Sequence, residues 1–174
     1  MRVLEQKNIP YTAHTYPEDG PIDGVSVANY LHQDVEQVFK TLVTTGNKGV
    51  HVFVIPVAQE LDLKKAAKAS GQKYVEMLQQ KDLLATTGYI KGGCSLIGMT
   101  KMFPTFIDKS VENFDSIIFS GGKIGKQVQV GVKDVLSLTR AKLESIQKVA
   151  SGLASGYAAV QGTMALMGVE NEKL

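Results

Sequence analysis

The sequence predicts a mixed α/β or α+β fold with a largely mixed sheet, and three observations lead there. Short β-branched and apolar runs alternate with segments of helical spacing. Strand-like runs dominate the middle of the chain and helices decorate its ends. No regular strand–helix–strand repeat organises them, and no internal repeat of another period is visible. With 174 residues, the chain is long enough for one substantial core and too short for two ordinary domains. Its 44% hydrophobic and 21% charged residues exclude a wholly disordered or collagen-like chain.

Val3 and Leu4 begin a short amphipathic segment that stops before Pro10, because proline disfavours helix in the residue ahead of it. Tyr11 to Tyr16 alternates as a strand and is closed by the Pro17–Pro21 loop. Ser26 is the expected N-cap of a helix running through Leu31, and Asp34 that of a turn ending near Phe39. Thr41–Thr45 and Val50–Pro56 flank Gly46, Asn47 and Gly49, which is a hairpin signal. Leu61–Ser70 is the clearest helix, capped by Asp62 and stopped by Gly71. Lys64, Lys65 and Lys68 fall on its outer side, where a solvated face is the expected reading and a nucleic-acid contact the alternative. Ser116–Ser120 reads as a buried strand, and alternating Val128, Val130 and Val132 as a half-buried one. Asp134 is expected to cap a final helix carrying Val135, Leu138, Ile146 and Val149 at near-helical spacing.

The chemistry-bearing residues are few. Formal charge is +2, too small to argue for nucleic acid without clustering. His14, His32 and His51 are scattered, with no pair at i, i+4 spacing for a helical metal site. One cysteine, Cys94, excludes an intramolecular disulfide and a cysteine-based zinc set and fits a reducing compartment. An inert buried thiol is its expected state, with a nucleophile as the alternative. Ser95 lacks the nucleophile-elbow context. The run Gly121-Gly122-Lys123-Ile124-Gly125-Lys126 is not a phosphate loop, because Gln127 stands where Ser or Thr would hold magnesium and a strand follows instead of a helix. A tight strand-to-strand turn is expected there. The Gly88–Gly98 stretch and Ser120-Gly121-Gly122 are rich in glycine; a plain turn is the expected reading of each, and a backbone that approaches a ligand closely the alternative. Lys40, beside an apolar strand, adds a charge suited to a cleft. The mixed Arg2, Glu5 and Lys7 at the start do not read as a signal peptide.

These pieces resemble a known family. The carrying residues are His14-Thr15-Tyr16, Phe39-Lys40-Thr41-Leu42-Val43, Pro56-Val57 and Leu61-Asp62-Leu63-Lys64-Lys65. Val75-Glu76-Met77, Thr87-Gly88-Tyr89, Gly92-Gly93-Cys94-Ser95, Pro104-Thr105-Phe106-Ile107-Asp108 and Ser120-Gly121-Gly122-Lys123 continue the series. Their order from about Val3 to Val149 resembles the YbaK-type aminoacyl-tRNA deacylases, relatives of the editing domain inserted in bacterial prolyl-tRNA synthetases. The resemblance implies a barrel-like mixed sheet with flanking helices. It also implies removal of a wrong amino acid, typically cysteine, from tRNA(Pro), with no cofactor and no metal. Lys40 maps onto the family's essential lysine. Tyr16, Thr41, Gly92, Gly93 and Ser120 map onto substrate-binding positions. In cysteine-specific members the substrate's own thiol attacks its carbonyl, so the protein contributes no nucleophile. The implied setting is the cytoplasm, with mischarged tRNA(Pro) and a prolyl-tRNA synthetase as partners. A non-catalytic tRNA- or synthetase-binding module is the second reading, and a Cys94-based hydrolase a third.

Three positions depart from the family pattern. Leu96 replaces a proline common in the glycine loop, Gln127 replaces a frequent acidic residue, and Cys94 replaces an aliphatic one. The resemblance ends near Val149, so the chain is expected to divide into an editing domain at 1–149 and a small-residue-rich extension at 150–174. Val149–Val169 lacks any charge. Its serines, glycines, Gln161 and Thr163 argue against a membrane span.

Overall fold

The computed structural model describes residues 1–149. The expected extension at 150–174 lies outside the described residues. A short helix α1 (Arg2–Gln6) precedes strand β1 (Tyr11–Thr15), then α2 (Gly24–Tyr30), β2 (Phe39–Gly46) and β3 (Gly49–Pro56). Helix α3 (Leu63–Ser70), β4 (Val75–Met77), α4 (Gln80–Thr87) and β5 (Thr105–Asp108) follow. The chain then runs through a 3₁₀ turn at Lys109–Asn113, β6 (Ser116–Ser120), β7 (Lys126–Gly131), α5 (Val132–Thr139) and β8 (Lys142–Glu144).

Two sheets result, of order β1-β7-β6 and β4-β2-β3-β5-β8. The first is antiparallel throughout. The second is mixed, because β2 pairs antiparallel with β3 and β4 while β5 pairs parallel with β3 and β8. An isolated parallel bridge, Val38 to Ile118, joins the two sheets. The mixed α+β class expected from the sequence holds, with the barrel-like curl divided between two sheets instead of closed into one ladder.

Burial explains the division. Phe39, Val52, Val54 and Ile107 of the larger sheet pack with Ile117, Phe119, Val128 and Val130 of the smaller one, forming a core between them. The opposite face of the larger sheet carries Phe53, Ile55 and Phe106 against Ala66 and Ala67 of α3. Strand β3 is therefore covered on both sides, which is why Val50–Pro56 reads as a nearly continuous apolar run. Ala28 of α2, Val57, Val38 and Ile118 make a third, small cluster over the bridge between the sheets.

Local signals decide most boundaries. Asp62 caps α3 by accepting from the Lys64 and Lys65 N–H groups, each at 3.0 Å, and Gly71 at φ +68° ends it. For α2 the cap is Asp23 instead of the expected Ser26. The Ser26 N–H and hydroxyl both donate to the Asp23 carboxylate, at 2.9 and 2.8 Å, so Ser26 occupies the third helical position. The last helix also differs. It starts at Val132, without a side-chain cap from Asp134, and stops at Arg140, whose φ is +54°. Ile146 lies beyond it, its N–H donating to Asp108 Oδ1 at 3.1 Å. Buried Asp108 also accepts from the Ser110 N–H and Gln147 Nε2, at 3.0 and 2.8 Å, so one carboxylate holds the end of the described chain to β5.

Candidate active site

The bridge between the sheets defines the site. Beyond Val38 and Ile118, β2 and β6 continue in the same direction but no longer pair. Lys40 and Ser120 each lie two residues past the bridge, so alternation puts both on the face that carries Val38 and Ile118. Ser120 pairs with Gln127, and Gln127 with His14, in the register of the smaller sheet. Tyr16, two residues past His14, continues on that face, its N–H donating to the Gly125 carbonyl at 3.0 Å. The register of this fork of two diverging strands and of β1 thus puts Lys40, Ser120 and Tyr16, from three distant parts of the chain, on one face.

Lys40 is half-buried, and burial lowers its ammonium pKa below the ordinary lysine value, with the Glu60 carboxylate opposing that shift. A partly desolvated cation without a close ion pair attracts an anionic ligand more strongly than an exposed one. Among the described residues, Glu60 pairs at 3.1 Å with Lys148, not with Lys40.

Thr41 faces the other way, into a cleft of about 290 Å³ that Gly92, Lys91, Cys94, Met77 and Leu83 also line. Its hydroxyl Oγ1 is buried and has no hydrogen-bond partner. The neighbouring backbone is also open. The Val43 carbonyl accepts from the Leu78 N–H at 3.0 Å, which turns the backbone of Val43, and by alternation that of Thr41, toward the β4 edge. Pairing with β4 covers only Thr44–Gly46, so Thr41 presents an unladdered stretch of strand to the cleft.

The glycine loop abuts the turn between β6 and β7. A Cβ on Gly93 would lie 2.9 Å from Lys123 Cα and 3.3 Å from the Ile124 nitrogen, so only glycine fits. Gly92 has φ +86°, a conformation that glycine adopts without strain. The Gly93 N–H is committed to the Ile90 carbonyl at 3.0 Å and is not available to a ligand. Tyr89 wedges the two glycine segments in place. Its hydroxyl donates to the Ile97 carbonyl at 2.7 Å, and its ring lies against Gly98 and Gly122.

The expected turn at Gly121–Lys126 is what joins β6 to β7. Cys94 lines the cleft, but burial pushes its thiol up to about 11, with a hydrogen bond to Thr87 opposing. It is protonated near neutrality and is no nucleophile. Leu96 is a core residue. Gln127 is buried and accepts from Gln33 Nε2 at 2.9 Å, while Gln33 Oε1 is left without a partner. His14 meets Gln129 at 3.0 Å and His51 stacks on Phe106, far from forming a cluster with each other. Sequence reasoning missed Gln33 and Glu60. Neither sits in a recognisable pattern, and both reach the fork only through the tertiary fold.

Fold and site together define an editing domain. Residues 23–138 match the family model of the aminoacyl-tRNA editing domain, and the chain belongs to that family. Among its relatives is EbsC of Enterococcus faecalis, which bears the name of a Cys-tRNA(Pro)/Cys-tRNA(Cys) deacylase. The two are 49% identical over 148 residues, spanning 84% of this chain and 90% of EbsC. A solved structure described as a trans-editing enzyme for prolyl-tRNA synthetase superposes with a TM-score of 0.76 at 22% identity, covering 84% and 92% of the two chains. The protein APE2540 superposes with a TM-score of 0.77 at 16% identity, covering 84% and 97%. At those identities the two structures speak for the fold alone.

Proposed function

We propose that the chain is a trans-editing deacylase that releases mischarged cysteine from tRNA(Pro). The observation that carries the reading is the 49% identity to EbsC, maintained over nearly the full length of both proteins' matched domain. The geometry supports it chemically. Among the described residues no activated nucleophile lies at the fork or cleft, which suits a reaction in which the substrate attacks itself.

In that reaction the substrate's thiolate sulfur bonds to the ester carbonyl carbon, and the bond from that carbon to the ribose oxygen breaks. The ribose oxygen takes up a proton, and the cyclic thioester later opens in water. The protein holds the two ends of one reactive molecule in place, and positioning alone supplies several kcal/mol, on the order of 7 in well-oriented intramolecular reactions. Lys40 holds the terminal nucleotide and the ester by its charge. Tyr16 and Ser120 border the nucleotide on the same face. Thr41 and Gly92 receive the amino acid in the cleft, and Gly93 keeps the loop close to the turn. Residues 1–149 form the editing domain, and 150–174 lie outside the chemistry. A cytoplasmic setting and a complex with prolyl-tRNA synthetase complete the proposal, the synthetase contributing most of the tRNA affinity.

A panel of tRNA(Pro) charged with cysteine, serine, alanine or proline tests it. Cysteine is released, serine is spared for want of a thiol, and Lys40→Ala abolishes release while still unfolding as a cooperative domain. Turnover by Lys40→Ala equal to wild type removes Lys40 from the mechanism. Binding of mischarged tRNA without any release selects the non-catalytic module instead.

A further inference from the structure

A second feature, beside the fork, has a different chemistry. Arg2, Lys123 and Lys126 line a groove of about 320 Å³ together with Tyr89, Gly121 and Gly122, and no acidic side chain lines it. Among the described residues, ion pairs form only between the Met1 amino group and Glu5 and between Lys148 and Glu60, so these three cations are uncompensated. Glu18 packs against Gly125 of the same turn and does not line the groove. Gly122 leaves the edge of the Tyr89 ring uncovered, since a Cβ there would stand 3.2 Å from Tyr89 Cε1. The groove adjoins the fork along the chain: Gly121 and Gly122, which line it, directly follow Ser120, and the Gly122 N–H donates to Ser120 Oγ at 3.1 Å.

We infer that this groove binds the single-stranded 3′ segment of the tRNA acceptor end, its phosphates on Arg2, Lys123 and Lys126 and a base against Tyr89. Uncompensated cations with an aromatic ring and a side-chain-free floor are what single-stranded RNA recognition uses. The inference rests on the deacylase reading for the identity of the RNA. An ester held at the fork beside Ser120 leaves the preceding nucleotides next to Gly121, Gly122 and Lys123, which points to the acceptor end.

The lysines of α3 are the rival surface; among the described residues they too form no ion pair, but acidic side chains line their hollows, Asp62 beside Lys64 and Glu144 beside Lys65 and Lys68. Lys65 Nζ donates to the Gln147 carbonyl at 3.0 Å, and Lys109 shares the hollow with Lys65 and Lys68. They serve as the control.

The test measures binding of an uncharged, fluorescently labelled tRNA(Pro) transcript from low to physiological salt. The triple variant Arg2→Glu, Lys123→Glu, Lys126→Glu weakens binding at least roughly tenfold and flattens the log–log salt slope by about 2, the loss of three phosphate contacts at ~0.7 each on a single strand. The Lys64→Glu, Lys68→Glu pair leaves affinity and slope close to wild type. Wild-type affinity and slope in the triple variant, equal loss in the α3 pair, or no wild-type binding at low salt overturns the inference. Release of cysteine from a cysteinyl-adenosine ester is read separately and stays at wild-type level in the triple variant. If the wild type fails that release, the deacylase reading falls, while the salt slopes still judge the groove.

Discussion

Gly93→Ala isolates the contact that holds the site together. Its new methyl would sit 2.9 Å from Lys123 Cα and 3.3 Å from the Ile124 nitrogen. Both are backbone atoms that cannot rotate aside, so the loop and the turn must part by about half an ångström to reach ordinary contact distance. Overpacking of this kind costs about 2 kcal/mol. At roughly 2–4 °C per kcal/mol for a domain of this size, the melting temperature falls by about 4–8 °C. The larger effect is on turnover, since the parting loop carries Gly92 away from Thr41 in the cleft. Misplacement of a fraction of an ångström to one ångström lowers kcat/KM for cysteine release by roughly 10- to 100-fold. Gly92→Ala is the companion. Its contact is with side-chain carbons of Ile124 at 3.3 Å, which can rotate aside, so its cost is mainly the positive φ, about 1–2 kcal/mol. Thermal melts and deacylation of cysteinyl-tRNA(Pro) read both. A Gly93→Ala protein with unchanged melting and unchanged turnover refutes the reasoning that this contact sets the loop.

Burial lowers the Lys40 pKa, so the folded protein binds that proton less tightly than the unfolded chain does. The resulting penalty is fully present below the lowered folded value and vanishes once pH exceeds the ordinary 10.5. Lys40→Met therefore melts higher than wild type near pH 7, with the gain shrinking as the pH rises toward 10.5; a pH-independent difference contradicts this. Cys94→Ala retains deacylation within a few fold. In the wild type, iodoacetamide alkylates the thiol slowly at pH 8 and faster only as pH nears its value of about 11, so rapid alkylation at pH 8 is the opposing result. Asp108→Ala strips acceptors from the Ser110 and Ile146 N–H groups and Gln147 Nε2 and lowers the unfolding free energy by about 3 kcal/mol in a denaturant titration. A loss below about 1 kcal/mol would mean water replaces all three bonds.

Elements with local signals were legible in the sequence. Helix α3 announces itself through Asp62 and Gly71, and the β2–β3 hairpin through its β-branched runs and Gly49. Elements made by distant partners were not. Strand β8 is Lys-Leu-Glu, with nothing in its composition to suggest that it pairs with β5. The supposed long final helix fails because Arg140 turns into the left-handed region and Asp108 captures the Ile146 N–H. The site shows the same divide. Lys40, Thr41 and the glycine loop stand out as motifs, but the alignment that puts Lys40 and Ser120 on one face depends on one bridge between residues eighty positions apart.

That bridge also makes the site adjustable from a distance. Each sheet is stiffened by its own ladder, whereas the two meet over their shared core and at the Val38–Ile118 bridge, with Ala28 and Val57 packed over that bridge. A methylene gained or lost in that cluster would act like a shim at the base of a pair of calipers. It would change the opening at Lys40 and Ser120 while leaving every ligand-facing side chain as it was. Discrimination between amino acids of different size can drift through residues that never meet the substrate.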